Sequence, residues 1–260
     1  YDSTKHGGSF YIDNNGSGNL ETTDKATNQI QLGTGDFTVE LWYRPKSVTS
    51  TWEAIISKAY TTTGGWRLYK DTGNGYLKWY SSTTLKATTT SAVLKNNTWT
   101  HIAVVRDDTT LNIYADGVLA KSVSDTYNYT TSSAYEIEIG SGRSGSSWTG
   151  EGWISDVRIV VGTPVYTGAF TPPTRPLTKT GGTYPSTTNV NTSITASHTK
   201  LLLNLNDVLV GDATQFQSLE MEGNVTSSLG KSKFTDKPSI YFDGNGDYLS
   251  QNIQAPDDAD

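Results

Sequence analysis

Hydrophobic and polar residues alternate in short segments along much of the chain, which is the pattern of half-buried β-strands. Two strand-like segments are 37–44 (FTVELWYR), which alternates strongly and is ended by Pro45, and 99–106 (WTHIAVVR). Turn-forming residues separate neighbouring segments, as in the DTGNG sequence between 66–70 and 76–81. Short strands at this spacing, with turns between them, predict an all-β sandwich or jelly roll.

A β-hairpin at 111–122 (LNIYADGVLAKS) is the clearest local prediction. Its centre is the pair Asp116 and Gly117, and Asp-Gly between strand-like residues favours the type I′ turn of two-residue hairpins. Two later segments, 135–140 (YEIEIG) and 153–161 (WISDVRIVV), also alternate, so we expect further strands there.

The alternation ends after residue 170, where prolines and polar residues become frequent. We therefore predict a sandwich domain at 1–177 and a connector with short strands at 178–237. The tail at 238–260 is a partial repeat, because PSIYFDGNGDYLS resembles GSFYIDNNGSGNLE near the start of the chain. The tail is either the first strand of a following module or a strand added to the same sandwich.

Composition excludes several classes of protein. Threonine, serine, asparagine and 25 glycines are weak helix formers, whereas 15 tyrosines and 7 tryptophans favour strands. The chain has no cysteine, which rules out a disulfide framework and any cysteine-based metal site. Its formal net charge of −6 argues against a nucleic-acid partner, and no apolar run is long enough for membrane insertion.

The order of these segments resembles the laminin-G-like branch of the concanavalin A-like lectin/glucanase fold. The motifs that carry the resemblance are FYIDNNG, LGTGDFTVELW, NNTWTHIAVVR, LNIYADGVL, IEIG and GWISDVRIV, in that order along the chain. The segment 157–177 (VRIVVGTPVYTGAFTPPTRPL) is similar to the end of such modules in tail and adhesin-like structural proteins of marine bacteriophages, cyanophages especially, and in some bacterial surface proteins.

The resemblance implies a two-sheet antiparallel jelly-roll sandwich that binds glycans or proteins. We therefore expect a non-enzymatic virion or cell-surface protein whose domain binds a cell-surface glycan or a partner protein. Other virion subunits are the expected protein partners, and a homo-oligomer is left open. A purely structural decoration or fibre spacer module is the alternative function. No cofactor is required by this interpretation.

The resemblance leaves open whether the domain binds a structural calcium ion. Asp13 begins an oxygen-rich turn (DNNG), and Ca²⁺ prefers about six to eight oxygen ligands. In the family, the aspartate at this place commonly lies near the late GxISD strand, which brings in Asp156 by resemblance. The alternative is that these polar residues only stabilise turns.

Aromatic residues in polar loops are the candidates for glycan contact, because loops on a rigid sandwich commonly carry binding residues. Six residues lie in or beside loops rich in serine, threonine and glycine: Trp52, Trp66, Tyr127, Tyr129, Arg143 and Trp148. Their flat faces and polar groups match the C–H faces and hydroxyl groups of a sugar. The alternative is that they fill the ends of the sandwich or form a protein interface.

A glycoside hydrolase is the least favoured function. Glu136 and Glu138 are two residues apart in a strand, which puts both carboxyl groups on one face, about 7 Å apart. Retaining hydrolases need two carboxyl groups about 5–5.5 Å apart. The third acid of the usual strand motif is absent, because Ser141 occupies its position.

Overall fold

The fold is known from a computed structural model. It describes residues 9–12, 20–22, 30–50, 52–59, 61–132, 135–141, 151–203, 219–222, 226–228, 239–241 and 248–251. Asp13, Arg143 and Trp148 lie outside the described residues. Throughout the described ranges the regular elements are strands, which confirms the all-β prediction, and no helix there is long and apolar enough to cross a membrane.

The strands are numbered in chain order. They are β1 (Phe10–Ile12), β2 (Leu20–Glu21), β3 (Phe37–Pro45), β4 (Glu53–Lys58), β5 (Trp66–Lys70), β6 (Leu77–Ser81), β7 (Thr84–Thr88), β8 (Thr100–Asp107), β9 (Thr110–Ala115), β10 (Val118–Ser124), β11 (Ile137–Ile139), β12 (Gly152–Val161), β13 (Thr199–Leu203), β14 (Leu219–Glu222), β15 (Thr226–Ser228), β16 (Ser239–Tyr241) and β17 (Tyr248–Gln251).

Two antiparallel sheets form the sandwich, as the sequence predicts. The first has seven strands in the order β1-β12-β3-β8-β9-β10, with β13 also paired to β12. Since β3 occupies one edge of β12, β1 and β13 lie end to end along its other edge. The second sheet has six strands in the order β2-β11-β4-β5-β6-β7.

The repeated tail does not pair with either sheet in the described part of the chain. β14 pairs with β17, and β15 pairs with β16. The two copies of the repeat are nevertheless alike in one respect. In each copy, the two strands of the motif pair with different sheets: β1 with β12 and β2 with β11, then β16 with β15 and β17 with β14.

The core between the two sheets contains a stack of aromatic rings. Trp66 and Trp79 are stacked with ring centroids 5.3 Å apart, and Trp79 Nε1 donates a hydrogen bond of 3.0 Å to Tyr129 Oη. Phe37 meets the Tyr129 ring edge-on at 5.5 Å. Aliphatic residues from both sheets surround this stack: Val39, Leu41, Ile56, Leu68, Leu77, Ile102, Val104, Ile113, Ile137, Ile139, Ile154 and Ile159.

One end of this core is fixed by a buried arginine. Arg106 donates hydrogen bonds to the carbonyl oxygens of Gly33 at 2.8 Å, Gly35 at 2.7 Å and Tyr127 at 2.7 Å. Its charge is balanced by Asp125, 3.4 Å away and equally buried. A buried charge is stable only when it is paired and hydrogen-bonded. The arginine therefore ties the segment before β3 to the segment after β10.

A covering segment, residues 162–198, lies on the outer face of the seven-stranded sheet. It adds Val165, Tyr166, Phe170, Val190 and Ile194 to a second buried cluster, which also contains Ala103, Val105, Tyr114 and Val160 of the sheet. β13 follows the segment and pairs with β12. The predicted domain boundary at 177 is therefore wrong, because 178–203 packs on the sandwich and completes its sheet.

A buried polar cluster holds the covering segment to the sheet. Arg158 Nε donates to Glu40 Oε1 at 2.8 Å, and the Tyr166 hydroxyl donates to Glu40 Oε2 at 2.6 Å. Arg158 also donates to the carbonyl oxygens of Thr178 at 2.9 Å and Gly182 at 3.2 Å. His101 Nε2 lies 3.2 Å from Glu40 Oε2. Three parts of the segment are thus bonded to one ion pair.

The predicted hairpin is confirmed. β9 and β10 pair across Asp116 (φ 49°) and Gly117 (φ 76°), and positive φ at both central residues is the signature of a type I′ turn. The Phe170 N–H donates to the Gly117 carbonyl oxygen at 3.1 Å. A Cβ atom on Gly117 would overlap the Phe170 carbonyl oxygen. The turn needs glycine for its conformation and for the close approach of the covering segment.

We predict that Gly117→Ala destabilises the protein more than Gly73→Ala does. Both glycines have positive φ, but a Cβ on Gly73 meets no atom within 4 Å. Gly73→Ala should therefore cost about 1 kcal/mol, for the backbone conformation alone. Gly117→Ala should cost about 1–3 kcal/mol more, because the covering segment must move. Urea unfolding of both variants measures the difference, and equal losses would show that the contact with Phe170 is unimportant.

Candidate functional site

Two of the predicted glycan-contact residues lie in the core. Trp66 has an exposed fraction of 0% and Tyr129 of 1%. Trp66 is the first residue of β5 and points between the sheets, where it stacks on Trp79. Tyr129 accepts the indole hydrogen bond of the same Trp79. Neither ring can present a face to a sugar, so the prediction is wrong for both.

Tyr127 lies at an end of the sandwich. Its side chain is half-buried and packs against the core, and its hydroxyl accepts a hydrogen bond of 2.9 Å from the Gly64 N–H. The amine of Lys86 lies 5.1 Å from its ring centroid. Tyr127 therefore contacts a different set of residues from Trp52.

Trp52 lies on the outer face of the six-stranded sheet. Side chains alternate between the two faces of a strand, so the inward Trp66 and Leu68 of β5 leave Arg67 and Tyr69 outward. In β6 the inward Leu77 and Trp79 likewise leave Lys78 and Tyr80 outward. Strand register then places Tyr69 opposite Lys78, and Arg67 opposite Tyr80.

These outward side chains form an aromatic cluster, which we call the Trp52 face. It consists of Trp52, Tyr69, Tyr80, Arg67 and Lys78. The Trp52 ring lies 6.2 Å from Tyr69 and 6.3 Å from Tyr80, between ring centroids. The two tyrosines are largely buried, whereas Trp52 is half-buried. The tryptophan therefore remains accessible in part and is supported by two fixed rings.

Two cations are held against the rings of the Trp52 face. The Arg67 guanidinium carbon lies 4.5 Å from the Tyr80 ring centroid, and the Lys78 amine lies 5.0 Å from the Trp52 ring centroid. Arg67 donates to the Ser82 carbonyl oxygen at 2.6 Å, and Lys78 is paired with Asp71 at 2.9 Å. Such contacts restrict the rotation of the rings, which lowers the entropy cost of binding a ligand on them.

Glu136 and Glu138 share this outer face, as the sequence predicts. Ile137 and Ile139 of β11 point into the core, so the two glutamates between and before them point outward. Glu138 is opposite Ser57 of β4, and Ser57 is opposite Arg67. One row of side chains therefore runs across the sheet from Glu138 through Ser57 to Arg67 of the Trp52 face.

Sequence reasoning found Trp52, and it placed Tyr80 beside a polar loop, but it missed Arg67, Tyr69 and Lys78. The signal was present, because WRLYK and LKWYS alternate between large apolar residues and residues that carry both an apolar body and a polar tip. Such residues suit a half-buried outer face. The strand register was the missing fact, since only the pairing of β5 with β6 brings the four side chains together.

Asp156, the second calcium candidate, lies at an irregularity in β12. Its φ of 49° coincides with the register shift between Ser155 and Arg158 against β3. Burial, and then the neighbouring charge of Glu40, raise the pKa of Asp156 to about 8. Burial also opposes the ionisation of Glu40, but the charge of Arg158 and the bonds from His101 and Tyr166 outweigh it and lower that pKa to about 2. Of the two carboxyl groups, Glu40 is the ionised one at neutral pH.

Calcium binding stays a prediction. Asp13, its other candidate ligand, lies outside the described residues. Within the described ranges, no group of three or more histidine, cysteine, aspartate or glutamate residues is arranged to hold a metal ion.

A family model described as Laminin_G_3, Concanavalin A-like lectin/glucanases superfamily, matches residues 6–164. No curated protein matches the chain.

Among solved structures, a candidate carbohydrate binding protein from Bacteroides ovatus ATCC 8483 is similar with a TM-score of 0.52 and 15% identity. The similarity covers 88% of this chain and 60% of that protein, so the chain spans less than two thirds of it. At this identity the likeness establishes the fold, a two-sheet sandwich of the concanavalin A-like type.

Two further solved structures are similar with lower TM-scores. The CBM40 of Ruminococcus gnavus IT-sialidase, bound to α2,3 sialyllactose, has a TM-score of 0.40 and 16% identity over 50% of this chain and 75% of that one. Domains LG4-5 of the mouse laminin α1 chain have a TM-score of 0.39 and 13% identity. That similarity covers 60% of this chain and 40% of the laminin chain.

We predict that Asp156→Asn stabilises the protein at neutral and alkaline pH. The folded pKa of about 8 exceeds the ordinary value of 3.8, so between these pH values the folded state holds a proton that the unfolded state has lost. Stability from this group therefore falls as pH rises from about 4 to about 8. The free energy of unfolding that this pKa shift removes by alkaline pH is at most about 6 kcal/mol. Asparagine also tolerates positive φ.

Chemical denaturation at pH 4 and pH 9 tests this prediction. The gain of Asp156→Asn over the native chain should be small at pH 4 and large at pH 9. Asp108→Asn is the matched control, because Asp108 has a similar φ of 55° but is exposed to water. A gain of equal size at both pH values would contradict the raised pKa.

Proposed function

The chain belongs to the concanavalin A-like lectin/glucanases superfamily, and from that premise we propose that it binds a cell-surface glycan on the Trp52 face without cleaving it. The observation that carries the proposal is the half-buried Trp52 ring, fixed over Tyr69 and Tyr80 beside Lys78. A flat ring held in place, with polar groups around it, suits the C–H face and hydroxyl groups of a sugar ring. Aromatic anchors of this kind commonly dominate binding energy.

The setting of this function is a virion or a cell surface, with attachment to a host as its purpose. The similarity of 157–177 to module ends in phage tail proteins and bacterial surface proteins supports this setting. The partners are then a host polysaccharide and neighbouring virion subunits. Calcium is not needed by the contacts of the Trp52 face, so binding should be the same with calcium and with a chelator.

We expect Trp52→Ala to weaken glycan binding at least about tenfold, equivalent to about 1.4 kcal/mol. A glycan array identifies ligands of the native 260-residue chain, and calorimetry then compares the variants. Trp52→Phe should keep most of the affinity because it keeps a flat ring. Tyr184→Ala is the matched control, since Tyr184 is 53% exposed and lies on the covering segment.

Two results would contradict this function. The first is the absence of binding to every polysaccharide tested, with and without calcium. The second is full affinity of Trp52→Ala for a ligand that the native chain binds, which would place the binding elsewhere. Thermal denaturation of each variant shows whether a loss of binding reflects a loss of fold.

Binding without hydrolysis is the second expectation for this face. Glu136 and Glu138 are outward, but the position of a third acid is taken by Ser141, which is fully buried. Its carbonyl oxygen accepts a hydrogen bond of 3.3 Å from the Ser57 hydroxyl. Prolonged incubation with a bound polysaccharide should therefore release no new reducing ends. Release by the native chain that Glu138→Gln abolishes would identify a hydrolase instead.

A spacer or decoration module is the alternative function, and the repeat favours it. Both copies of the motif direct their two strands to different sheets, as successive modules of one fibre would. A density map of the assembled particle distinguishes the two functions. A neighbouring subunit covering the Trp52 face would support the spacer, and an open Trp52 face would support glycan binding.

A further inference from the structure

A second group of aromatic and charged side chains lies on the other sheet. Tyr11 of β1 is opposite Trp153 of β12, and Trp153 is opposite Arg44 of β3. We call these three residues the Tyr11 strip. They point to the outer face of the seven-stranded sheet, because Ile12 and Ile154, their neighbours along the strands, point into the core.

The strip is accessible, unlike the part of this outer face that the covering segment buries. Tyr11 is 45% exposed, and Trp153 and Arg44 are half-buried. Further along β12 and β3, Arg158 and Glu40 are fully buried beneath the covering segment. The covering segment therefore closes one part of the sheet face and leaves the strip in contact with solvent.

The aromatic rings of the strip are fixed by polar contacts. Tyr11 and Trp153 have ring centroids 4.9 Å apart. The Tyr11 hydroxyl donates to Glu151 Oε1 at 2.8 Å, and Lys46 Nζ donates to the same oxygen at 2.6 Å. The bond from Lys46 and the bond from Tyr11 lower the pKa of Glu151, so this carboxylate stays ionised and keeps holding the tyrosine at neutral pH.

Arg44 retains hydrogen-bonding capacity for a ligand. Its guanidinium carbon lies 4.5 Å from the Trp153 ring centroid, and its Nε donates to the Asn97 carbonyl oxygen at 2.9 Å. Its two terminal nitrogens make no hydrogen bond within the described ranges. A stacked guanidinium presents these nitrogens as a planar fork, which matches the geometry of a carboxylate.

We infer that the Tyr11 strip is a second glycan-binding surface, selective for sugars that carry a carboxylate group. The sugar ring lies against Tyr11 and Trp153, and its carboxylate is bound by Arg44. Arg44 and Lys46 with Glu151 give a local charge of about +1 in a chain of net charge −6, which favours an anionic ligand at this place. The inference rests on the proposed function, namely that this domain binds glycans.

The dimensions of the strip fit a short oligosaccharide. Tyr11 and Arg44 are two strands apart, which corresponds to about 9.6 Å. That distance is on the order of two sugar units. The strip and the Trp52 face lie on the outer faces of different sheets, so each surface can be tested by variants that leave the other unchanged.

The experiment compares acidic oligosaccharides with their methyl esters, which have the same sugar ring without the charge. The probes are oligogalacturonate, oligomannuronate and sialyllactose, each titrated calorimetrically into the full 260-residue chain. We expect at least one acid to bind ten times more tightly than its ester. Arg44→Gln should abolish this preference, Arg44→Lys should keep part of it, and Tyr11→Ala should weaken the binding of acid and ester alike.

The chain offers a matched control for these variants. Arg175 and Tyr184 also form an exposed pair, with the guanidinium carbon 3.9 Å from the ring centroid, but on the covering segment. Arg175→Gln and Tyr184→Ala should leave the binding of the acids unchanged. Trp52→Ala should also leave the acid preference unchanged, since it alters only the other sheet.

The outcomes separate this inference from the proposed function. Equal affinity for acids and esters, no binding of any acid, or a preference that survives in Arg44→Gln would each overturn the acidic site. If neutral glycans still bind and Trp52→Ala abolishes that binding, the proposed function stands without it. If Trp52→Ala binds neutral glycans normally while Arg44→Gln removes the acid preference, the strip is the binding surface and the Trp52 face is not.

Discussion

The buried carboxylate of Glu40 determines how the two outer faces of the sandwich differ. A charge inside a sheet is stable only when it is neutralised and its oxygens are hydrogen-bonded. Arg158 supplies the opposite charge from the neighbouring strand, and Tyr166 supplies a hydrogen bond from the covering segment. Arg158 in turn bonds two carbonyl oxygens of that segment. The segment is therefore fixed over this part of the seven-stranded sheet, and accessible aromatic side chains remain at the Tyr11 strip and on the six-stranded sheet.

The strands and the hairpin follow from the sequence because alternation and turn residues act locally. The wrong prediction that Trp66 contacts a glycan shows what local patterns do not determine. Its position beside a loop suggested exposure, but as the first residue of β5 it takes the inward face. Conversely, Tyr69 and Tyr80 come together only through the pairing of β5 with β6. Which side chains share a face depends on register, and register depends on contacts distant along the chain.

The boundary at 177 was wrong for a different reason. Residues 178–198 contain few apolar side chains, which is typical of a connector, yet Val190 and Ile194 are buried against the sheet. Much of the remaining attachment runs through main-chain carbonyl oxygens, such as those of Thr178 and Gly182. Every residue carries such an oxygen, so no residue type marks where Arg158 will find its partners.

The shared edge of β12 has a mechanical consequence. Among the described strands of the sandwich, the first begins at Phe10, opposite Ile154, and the last ends at Leu203, opposite Val157. These points are three residues apart on one strand, a separation of about 10 Å. Tension on the segments that flank the sandwich is therefore applied to the pairing of β1 and β13 with a short stretch of β12, so these two end strands would carry the load before the other strands of either sheet.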